Sequence, residues 1–487
     1  MSMRILITGG TGLIGKATTA VLRGRGHNVR ILSRRAAEEE PAEGIEYWPA
    51  SVTDAAALTG AASDCDVVLH VAGIVAETPD LTFDQVNVEG TRNIVQEAAR
   101  SGVRRFVYVS SFGAERGTSD YHKSKRAAEK IAQEFAGEVV ITRPGNVYGP
   151  GDEVISALVK LVRALPVVPI IDEGDQEFQP VWHEDMGEAM AGVIEDRELR
   201  GAPLNLVGPD VVTLNRLLDI MTEIRGGQAP KRIPLPSGLA GLAARFAATI
   251  GVDMPLKPDV LQMLLDGNAL EPGQTNDLER YVPRPTSITT GMRRLLESMP
   301  AQKLEDGYGK PQHRRFRARV RQPRHGADEL FQMFCADYDQ FLPVERAEQE
   351  GNPRQCILGE TIVLALPLRG DIPVRVEEAE SNAVTLVTVE GHPLAGFVRF
   401  TWKPQEDGFL FEINVYDRPA TLFDTIGMAL GGSMAQRQTW IAGVERMIEA
   451  SQGSAPEGVE HETSDLTEEE VLSVQEWLDQ LRASRTG

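Results

Sequence analysis

Apolar positions in the first 150 residues follow two rhythms. Continuous β-branched runs occupy 3–8, 30–32, 67–71, 106–110 and 139–143, and the stretches between them carry apolar residues at helical spacing. Strands without polar alternation are buried on both faces. Their alternation with helices predicts an α/β fold, a doubly wound parallel sheet wrapped by helices on both sides. Residues 151–298 are richer in proline and loops, with helices expected near 154–164, 214–225 and 258–265. They read as a small lobe that shapes a substrate pocket within a domain spanning 1–298.

The rhythm changes after residue 298. Residues 299–325 read as a linker ending in a strand with one cationic face, because Arg315-Phe-Arg-Ala-Arg-Val-Arg321 alternates basic and apolar positions. Nucleic-acid binding and a strand shielded by acidic neighbours both fit that face, and the charge balance of the chain favours the shielded strand. A helical segment at 328–341 precedes period-two runs at 383–389, 397–402 and 409–416, joined by turns with hairpin chemistry. An antiparallel sheet follows, with a long helix over 419–450 able to lie across it, giving an α+β unit at 326–450. Residues 451–487 read as an acidic tether and a last helix, opened by the capping box Thr467-Glu-Glu-Glu470.

At 487 residues, two to three domains are expected. A formal net charge of −21 repels phosphate backbones and anionic lipid, which excludes nucleic acid and membrane surfaces as first choices of partner. The apolar stretch 238–252 is too short to span a bilayer and reads as a helix covering a pocket. Cys65, Cys335 and Cys356 are far apart in sequence and lack companions at ligand spacing, so neither a disulfide framework nor a metal site follows. The opening residues read as a core strand rather than a signal peptide, which makes the cytoplasm the expected compartment.

The candidate chemistry begins at the first strand. Thr8-Gly9-Gly10-Thr11-Gly12-Leu13-Ile14-Gly15 joins that strand to a helix and has the glycine spacing of a dinucleotide cradle. Gly9 permits the tight turn, Gly12 admits a pyrophosphate close to the backbone, and Gly15 allows the helix to pack on the strand. At the end of the second strand, Ser33-Arg34-Arg35 offers guanidinium groups where an acidic residue would select NAD. NADP is therefore the expected cofactor and NAD the alternative. Tyr121 and Lys125 are four residues apart, hence on one helix face, where a cation lowers a phenol's pKa and makes it a usable acid or base. Ser110 and Ser111 end the preceding strand, where a hydroxyl could hold a reacting oxygen. An exposed helix start with a solvated lysine is the plainer account of Tyr121 and Lys125.

These motifs, with 66–73, 87–93, 143–150 and 179–185, resemble the extended and atypical short-chain dehydrogenase/reductases of the NAD-dependent epimerase/dehydratase superfamily over residues 1–298. The segments 255–259 and 264–268 are most similar to the branch that includes the nucleotide-binding accessory subunit of respiratory complex I. The resemblance implies a Rossmann-type fold and a cofactor site that adds Ala72, Gly73, Asn87 and Pro144 to the glycine turn, Ser33, Arg34 and Lys125. It implies a proton donor or acceptor in Tyr121, a polarising hydroxyl in Ser111, and hydride transfer to or from nicotinamide, or an epimerase/dehydratase variant of it. It also implies a small-molecule substrate and admits a homodimer through the helices after Asn87 and Tyr121. Ser111 and Tyr121 are closer in sequence than in most active members, and Ser51 stands where the family usually offers an Asp to adenine. Residues 359–450 resemble an uncharacterised START-like, helix-grip family, which implies an apolar ligand, with His392 and Arg418 as its polar residues to watch. A nucleotide-binding protein with a structural, assembly or lipid-binding role is the competing expectation.

Overall fold

The computed structural model describes residues 2–34, 43–152, 154–156, 158–159, 167–199, 202–225, 231–236, 268–342, 345–347, 352–366, 370–390, 392–420, 425 and 433–483. They fall into two compact units.

The first unit is built on a seven-stranded sheet. Its strands are β1 (Arg4–Thr8), β2 (Asn28–Ser33), β3 (Ile45–Pro49), β4 (Val67–His70), β5 (Arg105–Val109), β6 (Glu138–Pro144) and β7 (Leu204–Leu206). Their spatial order is β7-β6-β5-β4-β1-β2-β3, every pair parallel. Successive residues of one strand serve opposite faces. Ile5, Ile7, Ile31 and Val107 pack with Leu22 of helix α1 (Leu13–Gly24) and Met186, Met190 and Val193 of a later helix (His183–Glu195). Leu6, Leu32, Val68 and Phe106 pack on the other face against Ile94 and Ala98 of α2 (Gly90–Arg100) and Ala128 and Ile131 of α3 (Asp120–Gln133). Burial on both faces explains the unbroken apolar runs. The expected doubly wound sheet is therefore the observed one. β3 and β7 had no such signature: β3 is a partly buried edge strand, and β7 has three residues. Leu214–Arg225 is helical as expected. The stretches 238–252 and 258–265, and most of 154–164, lie outside the described residues.

The second unit holds an antiparallel eight-stranded sheet. In chain order it comprises β8 (Gln312–Arg321), β9 (Glu345–Arg346), β10 (Thr361–Leu366), β11 (Gly370–Glu380), β12 (Ala383–Thr388), β13 (Leu394–Gln405), β14 (Gly408–Pro419) and β15 (Glu460–Asp465). The spatial order is β9-β10-β11-β12-β13-β14-β8-β15. The basic run is the expected strand, an inner one, and the favoured shielding by acidic neighbours is what is found; one expectation needs correction, because part of the supposed acidic tether is the strand that pairs with it. Alternation is the physical reason. Phe316, Ala318 and Val320 are buried, while Arg317 meets Glu460 at 2.7 Å and Arg315 meets Glu462 at 3.6 Å. The cationic face is thus covered by the acidic segment of the same chain.

One face of this sheet, with Phe316, Phe400, Trp402, Phe411 and Ile413, packs on Leu330, Phe331 and Phe334 of a helix at Ala327–Ala336 and on Val444 and Met447 of a helix at Ser433–Ser451. The predicted helix at 328–341 ends sooner, in a tight turn at Tyr338–Gln340. The predicted helix at 419–450 starts later, because β14 runs to Pro419. The opposite face carries Val387 and Phe397 against Leu478 of a last helix, Glu468–Ala483. Its capping box is formed: the Thr467 N–H donates to Glu470 Oε2 at 2.7 Å, and the Glu470 N–H to Thr467 Oγ1 at 3.3 Å. β11 was hidden in the sequence by its charges. Glu378 is buried there and satisfied by Arg399 at 2.8 Å and by the Thr385 hydroxyl at 2.5 Å. His392 is buried in a turn, where Nδ1 accepts the Leu394 N–H at 3.0 Å, and Arg418 donates to the Glu305 carbonyl. Among the described residues, no helix is long and apolar enough to cross a membrane.

The most heavily buried ion pair of this unit joins β8 to β14. Arg314 Nη1 lies 2.6 Å from Asp417 Oδ1, and the Gln436 amide donates to Asp417 Oδ2 at 2.6 Å. Removing one member leaves an uncompensated buried charge. Arg314→Met is therefore expected to lower unfolding free energy by about 3–5 kcal/mol in urea titrations. Arg317→Gln, at the exposed surface, is expected to leave the midpoint unchanged. Equal effects of the two substitutions would contradict this picture.

Candidate functional site

The turn after β1 has no room for side chains. Gly9 adopts φ +69°, and a β-carbon there would lie 2.9 Å from the backbone of Ala72, just beyond the end of neighbouring β4. A β-carbon on Gly15 would lie 2.6 Å from Gly10 Cα, and one on Gly10 would lie 2.7 Å from Ile31. The chain consequently crosses close over the strand ends and enters α1 at Gly12, with no side-chain cap and no acidic residue in the first turn. That leaves the positive end of the helix for an anion from outside. A dinucleotide fits this cradle, because each glycine keeps clear the space that a pyrophosphate and the close backbone require.

The cradle opens into a cleft of about 1730 Å³ at the carboxyl ends of β1, β4, β5 and β6, the position where open parallel sheets bind ligands. Gly9, Thr11, Gly12, Leu13, Ile14, Ser33, Arg34, Ala72, Gly73, Ser111, Tyr121, Lys125 and Pro144 all line it. Thr8, Gly10, Gly15 and Asn87 lie behind that surface and support it. Arg34 is exposed at the cleft, the Ser33 hydroxyl bonds Thr11 Oγ1 at 2.9 Å, and Arg35 lies outside the described residues. Ser51 lines the cleft as well, its hydroxyl 2.8 Å from that of Thr53.

A hydrogen-bonded chain ties the cradle to the helices. Thr8 Oγ1 lies 2.6 Å from His70 Nδ1, and His70 Nε2 lies 3.0 Å from Thr91 Oγ1, whose hydroxyl donates to the Asn87 carbonyl at 2.6 Å. Burial, followed by the charge of Lys125, lowers the His70 pKa to about 3, so the imidazole is neutral. Asn87 sits in a wide π-type turn, Asp84–Glu89, ahead of α2. Its side chain accepts the Ile74 N–H at 2.9 Å and donates to Ser124 Oγ at 2.9 Å, between the Tyr121 and Lys125 positions on α3.

Ser111 and Tyr121 meet. The Ser111 side chain lies near enough to the phenol to lower its pKa, and the phenol ring packs 6.0 Å from the Phe83 ring. The short loop between them folds back onto α3: Arg126 donates to the Ala114 carbonyl at 2.7 Å and to the Gly117 carbonyl at 3.0 Å. The ring of His122 fills the space beside Gly113 and Gly117, where a β-carbon would collide with it.

The electrostatics differ from expectation. Burial pushes the Tyr121 phenol up to about 12, with the Ser111 side chain opposing, and pushes Lys125 down to about 7, with Glu129 opposing. Lys125 Nζ donates to the Val109 carbonyl at 2.7 Å and lies 4.7 Å from the Tyr108 ring centre. Desolvation sets the direction, in place of the lowering by a cation that the sequence suggested, so the phenol holds its proton at neutral pH. One turn further along α3, buried Glu129 accepts from Ser110 at 2.6 Å and pairs with Arg143 at 2.8 Å. The sequence reading gave no role to His70, Ser124 or Glu129, although His70 stands within the 66–73 motif and Glu129 is four residues beyond Lys125. Asn146 and His183, within the 143–150 and 179–185 motifs, line the cleft.

Comparison with known proteins finds relatives of the first unit. The profile of the NAD dependent epimerase/dehydratase family matches residues 5–206. A ceramide reductase of Caulobacter vibrioides is 29% identical over 48% of this chain and 73% of its own length. The uncharacterized protein y4nG of Sinorhizobium fredii is 30% identical, covering 52% of this chain and 68% of the relative. Subunit 9 of the NADH dehydrogenase [ubiquinone] 1 alpha subcomplex of Arabidopsis thaliana is 26% identical, covering 54% and 68%. By its strand order, its glycine cradle and these matches, the chain belongs to the NAD dependent epimerase/dehydratase family.

Proposed function

We propose that the chain is an NADP-dependent oxidoreductase that interconverts a carbonyl and an alcohol on an apolar substrate. The observation that carries this reading is the Ser111–Tyr121 hydroxyl pair beside buried Lys125, at the cleft that the glycine cradle opens into. Bound nicotinamide would supply or accept the hydride. In the reductive direction Tyr121, protonated at neutral pH, gives its proton to the substrate oxygen, and Ser111 holds that oxygen by its hydroxyl. Lys125 would bond the nicotinamide ribose and, as the ammonium, offset charge developing on the phenolate. Arg34 would pair the 2′-phosphate. An apolar substrate is supported by Ile74, Val75, Leu81 and Val154 along the cleft, and by the similarity to a ceramide reductase. The long helix across the antiparallel sheet supports a START-like reading of the second unit.

Tyr121→Phe is expected to lower the single-turnover rate of hydride transfer by about 10²–10⁴-fold while leaving NADPH binding intact. An unchanged rate, or no transfer by the wild-type protein across a panel of apolar ketones and alcohols, would leave a nucleotide-binding protein without turnover. Arg34→Ala is expected to weaken NADP binding by about 10-fold or more in calorimetric titrations and to leave NAD binding unchanged. Tighter binding of NAD than of NADP by the wild type would remove the cofactor assignment. Because the folded-state pKa of Lys125 is lowered, its amine is neutral above about pH 7, where an ordinary lysine is still charged. Cyanate labelling followed by peptide mapping should show half-maximal rate near that pH at Lys125, and protection by NADPH. A rate that rises only at strongly alkaline pH would contradict the burial argument.

A further inference from the structure

The fold brings Cys335 and Cys356 side by side. Cys335 lies in the last turn of the helix Ala327–Ala336, and the segment 352–360 runs back along that helix end. The Cys356 N–H donates to the Cys335 carbonyl at 2.9 Å. The Tyr338 N–H donates to the Arg354 carbonyl at 3.3 Å, and the Tyr338 hydroxyl to the Pro353 carbonyl at 2.9 Å. With standard backbone dimensions, one hydrogen bond of that length holds the two α-carbons within about 6 Å, inside the range that disulfides span. Cys356 is buried in the core cluster of the second unit, and half-buried Cys335 packs against the same cluster.

We propose that Cys335 and Cys356 are a redox-active pair that closes to an intramolecular disulfide by exchange with a small-molecule disulfide, clipping the 352–360 segment to the helix end. Cys335, the more accessible, attacks first. Its thiolate displaces one thiol from the small disulfide and leaves a mixed disulfide on Cys335. The Cys356 thiolate then attacks Cys335 Sγ and expels the second thiol. Two protein thiols are oxidised, one small disulfide is reduced to two thiols, and the two protein protons go to the released thiolates. Burial raises the Cys335 thiol to about 11 and Cys356 higher still, with the neighbouring sulfur adding to the effect on Cys356. The reduced pair therefore rests as thiols at neutral pH, and closure is gated by the fraction that ionises. Cys65, buried in the first unit with Arg30 3.9 Å from its sulfur, serves as the internal reference.

The full-length protein incubated with oxidised glutathione at pH 8 tests this by peptide mapping without reduction. The expected product joins the peptides of Cys335 and Cys356, consumes two thiols, retains no glutathione, and unfolds at a higher temperature than the reduced protein. Cys65→Ser should form the same link, and Cys356→Ser should accumulate glutathione on Cys335. Two results would overturn the proposal: a stable glutathione adduct on wild-type Cys335 with Cys356 still free, or both thiols unreacted under conditions that oxidise them in the urea-denatured chain.

Discussion

The absence of a β-carbon at Gly9 is the constraint on which the site depends. β1 and β4 are hydrogen-bonded neighbours, so the chain leaving β1 must pass over the end of β4, where Ala72 leaves space for backbone alone. That passage aims the amino end of α1 across the strand ends. It also couples the two halves of the site, because the β4 end continues into Gly73, where an added β-carbon would lie 3.0 Å from Asn87 Oδ1 and 3.8 Å from Lys125 Nζ. The side chains of Thr8, His70 and Thr91 carry the same coupling to the Asn87 carbonyl. The phosphate cradle and the phenol-bearing helix are thus held by one pair of strand ends rather than by separate devices.

Much of the first unit was legible, for a physical reason. Buried parallel strands are apolar without interruption, and a glycine turn joining such a strand to a helix has few other uses. The position of Ser111 relative to Tyr121 was not legible. It depends on a loop whose fold is set by the His122 ring and the Arg126 side chain, and neither residue advertises that role in sequence. The direction of the pKa shifts was also hidden. Spacing shows that Tyr121 and Lys125 share a helix face, but it carries no information on how completely the surrounding structure removes both from water.

The second unit shows the opposite limit. Its basic and acidic segments are more than a hundred residues apart, and the alternation of the basic run showed a shielded strand without showing which acidic segment shields it, while the acidic partner looked like a tether when read singly. Each is the complement of the other, as the Arg317–Glu460 and Arg321–Glu457 pairs at 2.7 and 2.6 Å record. Charge of this kind on adjacent strands specifies register more than it adds stability, since such pairs are solvent-exposed. Apolar alternation alone cannot locate strands such as β11, where buried Glu378 answers Arg399 and Thr385. Cys335 and Cys356 follow the same logic: their relation exists only after the chain has turned back along a helix end.

The central claim is that the glycine cradle seats a dinucleotide over the amino end of α1, and fluorescence titration of NADPH into wild-type protein and Gly15→Val tests it most directly. The account predicts saturable one-to-one binding by the wild type and its loss in the variant, with circular dichroism showing that the variant's secondary structure is retained. A natively folded Gly15→Val that binds NADPH as tightly as the wild type would contradict it.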